Sequence, residues 1–276
     1  MKVAIVGAGI VGLTTARALL LQGHEVVLFD QGPIPNTKAS SFDHHRSIRY
    51  PYGTMTGYMK LVTDAFEAWE RLWDSLGETF YEQTGTLLTA PGSSDFLDHS
   101  QAALAEAGHA LELLAPSDVA DRFPVLSTEG LAKALYLPSG GVLFAADILT
   151  ALAADIENRG AEIYASTAVT SVDTQNQRVV MDEGWSVDAD GIVVAAGPWT
   201  GQLLPHLASE IKPSRQIVVY LEPPLERALA WRDMPMVVEV STNTGFYILP
   251  PAGWYGMILF DHLFSLVFDP SSDLSV

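Results

Sequence analysis

The first apolar run, Val3-Ala4-Ile5-Val6, passes through a stretch of glycines into residues 13–21, and a second run, Val26-Val27-Leu28-Phe29, ends at Asp30. Two short apolar runs separated by a helix-length segment predict a strand, a helix and a second, parallel strand. In residues 57–76, Leu61, Val62, Ala65, Phe66, Trp69, Leu72 and Trp73 recur at three- and four-residue spacing, which predicts an amphipathic helix with its aromatics in the core. Residues 86–89 read as a strand and 94–107 as a helix, and Pro116-Ser117-Asp118 caps another short helix. After the punctuation at Gly140-Gly141, a second helix–strand unit begins at Ala146 with Asp147 as its N-cap. It runs to Arg159-Gly160 and continues into Glu162-Ile163-Tyr164 and residues 167–173. Residues 179–182, the turn Glu183-Gly184 and Ser186-Val187 read as a hairpin, and Gly191-Ile192-Val193-Val194-Ala195-Ala196-Gly197 as a buried parallel strand ending in glycine. Beyond Lys212, residues 217–221, 236–240 and 246–249 predict a separate sheet, so the chain alternates between two domains in an α/β fold.

The glycines between the first strand and helix, Gly7-Ala8-Gly9-Ile10-Val11-Gly12, have GxGxxG spacing. Gly7 permits a tight turn, Gly9 lets the backbone approach a pyrophosphate, and Gly12 allows close helix packing, while the helix N-terminus offers free N–H groups and a partial positive charge. Asp30, twenty-one residues after Gly9 at the end of the second strand, is placed to accept hydrogen bonds from ribose hydroxyls. Strand, glycines, helix, strand and acid together make a dinucleotide fingerprint, which does not by itself choose between NAD and FAD. Asp30 disfavours NADP, because a 2′-phosphate would be repelled without a compensating arginine.

Composition narrows the picture further. The 276 residues are 48% hydrophobic and 17% charged, the balance of a soluble globular protein. A formal net charge of -18 repels a phosphate backbone or an anionic membrane surface, so neither nucleic acid nor membrane is an expected partner. With no cysteine, disulfides, thiolate chemistry and a cysteinyl flavin bond are all excluded. Lys2 before an apolar run superficially resembles a signal peptide, but the glycine spacing and Arg17 fit the strand–helix–strand unit better, and no apolar run reaches a membrane-spanning length. A cytoplasmic protein is expected. The pair His44-His45 is not read as a metal site, since adjacent side chains in extended backbone point apart.

The glycine fingerprint, Ser40-Ser41, Arg46-Ser47-Ile48-Arg49 before Tyr52-Gly53, and Ala195-Ala196-Gly197-Pro198-Trp199 together resemble the D-amino-acid oxidase superfamily, in its sarcosine oxidase and N-methyl amino acid oxidase branch. The likeness covers at least residues 1 to about 250. It implies non-covalent FAD, a Rossmann-like FAD-binding domain over 1–80 and 140–210, and an interleaved α+β substrate domain on a largely antiparallel sheet over 81–139 and 211–276. It also implies oxidation of the C–N bond of a secondary or N-methylated amino acid by hydride transfer to flavin, the imine then being hydrolysed, with oxygen reoxidising the flavin. By position, Gly7, Gly9 and Gly12 would hold the pyrophosphate, Asp30 the ribose, Ser40 and Ser41 the phosphates, and Val169 the adenine through its backbone. Ile10, Val11, His45, Ala196, Gly197 and Trp199 complete the implied cofactor set. Arg46 matches the family arginine beside the flavin ring, Arg49 the one that binds the substrate carboxylate, and Tyr247 a substrate-pocket tyrosine.

Two departures accompany the likeness. The chain stops before the family's C-terminal portion, so a C-terminally truncated member is expected, and a non-catalytic remnant that keeps the nucleotide-binding fold is the alternative reading. In Gly256-Met257-Ile258-Leu259-Phe260-Asp261-His262, Ile258 stands where sarcosine-oxidase-like enzymes carry a lysine that helps flavin react with oxygen. The apolar tail from Met257 onward, ending in Asp269-Pro270-Ser271-Ser272, predicts an exposed sheet edge. The identity of the amine, the electron acceptor and the oligomeric state stay open.

Overall fold

A computed structural model describes residues 1–241 and 245–267 of the chain. Asp269-Pro270-Ser271-Ser272 fall outside the described residues, as do the side chains from Phe260 onward, but the strand Met257–Val267 lies between Ser214–Leu221 and Phe246–Leu249 and not at a sheet edge, a correction to the expected exposed edge. The fold divides into two compact units, one formed by Met1–His44 and Phe144–Ser214, the other by His45–Leu143 and Arg215–Leu266. Residues 45–80, expected with the nucleotide unit, group with the second.

The first unit is built on a parallel four-stranded sheet in the order Gly191–Val194, Lys2–Val6, Glu25–Phe29, Glu162–Tyr164. The two central strands are buried over four of their five positions, which is why they read as unbroken apolar runs. Gly191–Val194 is half-buried because it lies at the sheet's edge, a correction to its reading as a buried strand. The helix Ile10–Leu21 packs against Ala145–Asn158, burying Leu13 and Ala16 on one side and Leu149, Leu152 and Ile156 on the other. Between them, Asp155 Oδ2 accepts from Arg17 Nε at 2.9 Å and Arg159 Nε at 2.8 Å. Burial pushes the Asp155 carboxyl up, but the hydrogen bond and charge of Arg159 with the charge of Arg17 prevail and hold it below the usual carboxylate range. Asp147 lies within the first turn of its helix and Phe144 takes the N-cap position, so the expected Asp147 cap is not formed. The predicted hairpin is present, as Arg178–Met181 against Ser186–Asp188, with Val169–Asp173 on its other side. Val179 and Met181 seal it onto Ala4, Val6, Val27 and Phe29.

The second unit carries a seven-stranded sheet in the order Ser214–Leu221, Met257–Val267, Phe246–Leu249, Met236–Glu239, Thr86–Pro91, Leu131–Leu137, Glu112–Leu114. Its registered pairings are antiparallel except for Met236–Glu239, which runs parallel to Thr86–Pro91. Leu87, Ala134 and Val237 form a core with Val119, Phe123 and Met234. The helix Thr56–Leu76 ends at Gly77, whose left-handed backbone (φ 74°) stops it. Val62, Leu72 and Trp73 are buried and Phe66 and Trp69 half-buried, but Leu61 is 61% exposed, against expectation. Leu61 shares the face of Leu72 three turns earlier, in a stretch where Met55 and Tyr58 are also exposed, so the apolar stripe runs past its cover. Helix Asp95–Glu106 is capped by Ser94, whose hydroxyl accepts from Leu97 N–H. No helix among the described residues is long and apolar enough to cross a membrane.

Candidate functional site

The glycine turn works by close approach. Gly7 has φ 105°, and a Cβ there would sit 2.4 Å from the Ala195 carbonyl oxygen; a Cβ on Gly12 would sit 1.8 Å from the Gly7 carbonyl oxygen. Gly9 is the N-cap of Ile10–Leu21 with no side chain to take up the helix's first N–H groups. One of them, on Ile10, donates to Ser41 Oγ at 3.1 Å, which draws the loop after the second strand across the helix end.

Asp30 fastens the other end of that loop. Its Oδ2 accepts from Ala8 N–H at 2.8 Å, and its Oδ1 accepts from Gly32 N–H at 2.9 Å and Asn36 Nδ2 at 2.8 Å. Asp30 and Asn36 are both buried, at 8% and 6% exposure, which leaves the carboxylate engaged by its own chain. The resulting cleft, within the first unit, has a volume of about 220 Å³. Gly7, Gly9, Ile10 and Val11 line it with Asp30, Ser40 and Ser41, as do Val169, Ala196, Gly197 and Trp199. Gly12 is not brought into the lining; it faces the Gly7 carbonyl. Sequence reasoning missed Asn36, Thr167, Gln202 and Leu203, which also line the cleft or hold it. The residues fit a dinucleotide: the helix N-terminus with the Ser40 and Ser41 hydroxyls would hold its phosphates, and Val169 and Leu203 would offer apolar surface to a ring.

A second cavity, of about 410 Å³, lies within the second unit. It gathers His45, Arg46 and Arg49 from one stretch of chain, Gln216 and Val218 from the strand Ser214–Leu221, Tyr247 and Leu249 from the next hairpin, and Ile258. Arg49 is held from three sides. It donates through Nη1 to the Pro51 carbonyl and through Nη2 to Tyr247 Oη at 3.1 Å, while its guanidinium lies 4.5 Å from the Tyr52 ring centroid and 5.3 Å from that of Tyr247. These contacts fix the plane of a side chain that otherwise has many rotamers. His45 is fully buried; its Nε2 donates to the Gly256 carbonyl at 3.1 Å, and its ring meets Tyr255 edge-on. His44 is exposed, and among the described residues no group of three or more His, Cys, Asp or Glu converges on one point.

Val218, Leu249 and Ile258 add apolar lining to the same cavity. Gln216, Val218 and Leu249 were not singled out from sequence, and Tyr52 entered only as part of the motif after Arg49, without a role of its own. Gln216 and Val218 alternate with the exposed Ile217 and Val219, a period-two pattern that marks a strand but not which face encloses a ligand. Tyr81, whose phenol burial pushes up to about 12, lies outside the cavity and stays neutral.

The family described as "DAO: FAD dependent oxidoreductase" matches residues 2–263. Monomeric sarcosine oxidase from Bacillus sp. (strain B-0618) is 29% identical over 274 residues, which cover 98% of this chain and 70% of that protein. N-methyl-L-tryptophan oxidase from Yersinia pestis (strain Pestoides F) is 24% identical over 247 residues, 89% of this chain and 66% of that protein. Among solved structures, NikD, an unusual amino acid oxidase essential for nikkomycin biosynthesis, superposes with a TM-score of 0.81 at 20% identity, covering 99% of this chain and 72% of that one.

Proposed function

Because this chain belongs to the DAO family of FAD-dependent oxidoreductases, we propose that it oxidises the carbon–nitrogen bond of a secondary or N-methylated amino acid, with FAD in the glycine-turn cleft and the amino acid in the cavity around Arg49. The relatives named for sarcosine and N-methyl-L-tryptophan support that substrate class. The observation that carries the reading is Arg49, oriented by Pro51, Tyr52 and Tyr247 in a cavity that is also lined by Val218, Leu249 and Ile258. In a chain of net charge -18, an anionic amino acid is admitted only where a cation is locally fixed, and the guanidinium fork pairs bidentately with a carboxylate.

Bound FAD would supply the acceptor for the hydride that leaves the carbon beside nitrogen. The chain's own contribution is binding and orientation. Arg49 and Tyr247 hold the carboxylate, and Val218, Leu249 and Ile258 keep water from the carbon that loses hydride. Ile258, 3% exposed, offers no positive charge to stabilise charge developing on oxygen, so the reading favours an acceptor other than oxygen.

The test is an absorbance spectrum of the purified chain with added FAD, followed by anaerobic mixing with a panel of N-methyl and cyclic amino acids and their decarboxylated counterparts. The expected result is loss of flavin absorbance with a member of the first set and with none of the second. Reoxidation in air should then be slow and should accelerate at least about tenfold in Ile258→Lys. Failure to take up FAD, or no bleaching by any amino acid, refutes the proposal.

A further inference from the structure

Gln216 sits in the strand Ser214–Leu221 and lines the cavity with Arg49, Tyr247 and Ile258. Its Oε1 is buried, and among the described residues it accepts no hydrogen bond. A buried acceptor left without a donor is costly, so such an atom in a ligand-sized cavity marks a place for a ligand's donor. The lining combines the polar side chains of Arg46, Ser47, Arg49 and Tyr247 with the apolar ones of Val218, Leu249 and Ile258, so a molecule that reaches Oε1 meets both kinds of surface. The same cavity presents the Arg49 guanidinium, already aligned. An occupant satisfying both groups carries an anionic group for the arginine and an N–H for the carboxamide.

We propose that Gln216 is the specificity-determining acceptor for the amine of the bound amino acid, its Oε1 taking an N–H from the nitrogen whose bond to carbon is oxidised. This rests on the reading of the cavity as an amino-acid site and deepens it by assigning the second anchor. Two anchors at opposite ends of an α-amino acid fix the orientation of the carbon between them, which one carboxylate contact alone leaves free to rotate. A ligand of the same shape without the N–H gains no bond to Oε1 and binds more weakly by that difference.

A pair of isosteric probes separates this from a merely structural role. 2-Aminoisobutyrate has no hydrogen on the carbon beside nitrogen and cannot be oxidised there; pivalate replaces its amine by a methyl group and keeps its carboxylate. Both are titrated into the FAD-loaded full chain, following the perturbation of the flavin spectrum or the heat of binding. The expected result is 2-aminoisobutyrate binding about tenfold more tightly than pivalate, equal to about 1.4 kcal/mol. Gln216→Leu, close to the same shape, should erase that preference while leaving pivalate affinity within about twofold, and Gln216→Glu, which keeps an acceptor, should retain the preference. Unchanged discrimination in Gln216→Leu overturns the assignment while leaving the amino-acid site standing. If neither probe binds the unsubstituted protein, the amino-acid reading itself fails, and the assignment with it.

Discussion

Around the glycine turn, polar groups are matched within the chain: Ala8 N–H, Gly32 N–H and Asn36 Nδ2 go to Asp30, and Ile10 N–H goes to Ser41 Oγ. Around Arg49, the guanidinium is positioned by two tyrosine rings and a carbonyl, yet among the described residues Gln216 Oε1 is left without a donor. The first region is thus a scaffold whose shape is settled before anything binds, and its weak points are steric. The second is arranged for a partner from outside, and its weak points are chemical. Substitutions in the two regions should therefore fail differently, one in stability and the other in recognition.

The largest expected effect lies in the scaffold. Gly12→Ala places a methyl group against the Gly7 carbonyl, and because both are backbone-fixed, the strand–turn–helix must open to accept it. We expect a loss of about 3 kcal/mol or failure to fold, read by thermal unfolding of the FAD-free chain. An unaltered melting temperature would break the contrast between the two regions. Next comes Arg49→Met, expected to raise KM for the amino acid about 100-fold while shifting Tm by no more than a few degrees. Arg49→Lys, which keeps charge but loses the planar fork, should cost about tenfold. Equal, negligible changes in KM would remove Arg49 from recognition.

The smallest effect separates a structural ion pair from both regions. Asp155 joins helices Ile10–Leu21 and Ala145–Asn158, and its carboxyl is depressed in the folded chain. A depressed carboxyl stabilises above its unfolded pKa and ceases to do so as pH falls through its folded value. Asp155→Asn should therefore lower stability by about 1 kcal/mol at pH 7, with the difference from the unsubstituted chain closing below about pH 4. Denaturant unfolding at the two pH values checks it; a gap that persists in acid would mean packing rather than charge.

The same contrast explains what the sequence revealed. The glycine turn is a contiguous backbone device, so the spacing of Gly7, Gly9 and Gly12, with apolar runs on either side, carried its fold directly. The antiparallel sheet was legible as separate apolar runs, but not its order, because Thr86–Pro91 finds its parallel neighbour at Met236–Glu239, far along the chain. Arg49 and Tyr247 entered through family resemblance, whereas Gln216 gave no signal in its own neighbourhood. Its significance arises from what faces it, and that is set by strand register rather than by local pattern. Leu61 erred in the opposite sense: periodicity gave the correct helix face but not how far along the helix that face is covered.

The parallel pairing of Met236–Glu239 with Thr86–Pro91 also has a consequence for how the chain is made. On the ribosome, Thr86–Pro91 can acquire Leu131–Leu137 on one side soon after both emerge, but its other side has no partner until residue 236 has been translated. At ordinary elongation rates of about 5–20 residues per second, that interval is on the order of ten seconds. Throughout it the middle of the future sheet is a bare edge lined by Leu87 and Leu88, open to pairing with a neighbouring nascent chain. Slow translation between these two strands should therefore reduce the yield of native protein, and a chaperone that shields the edge should restore it.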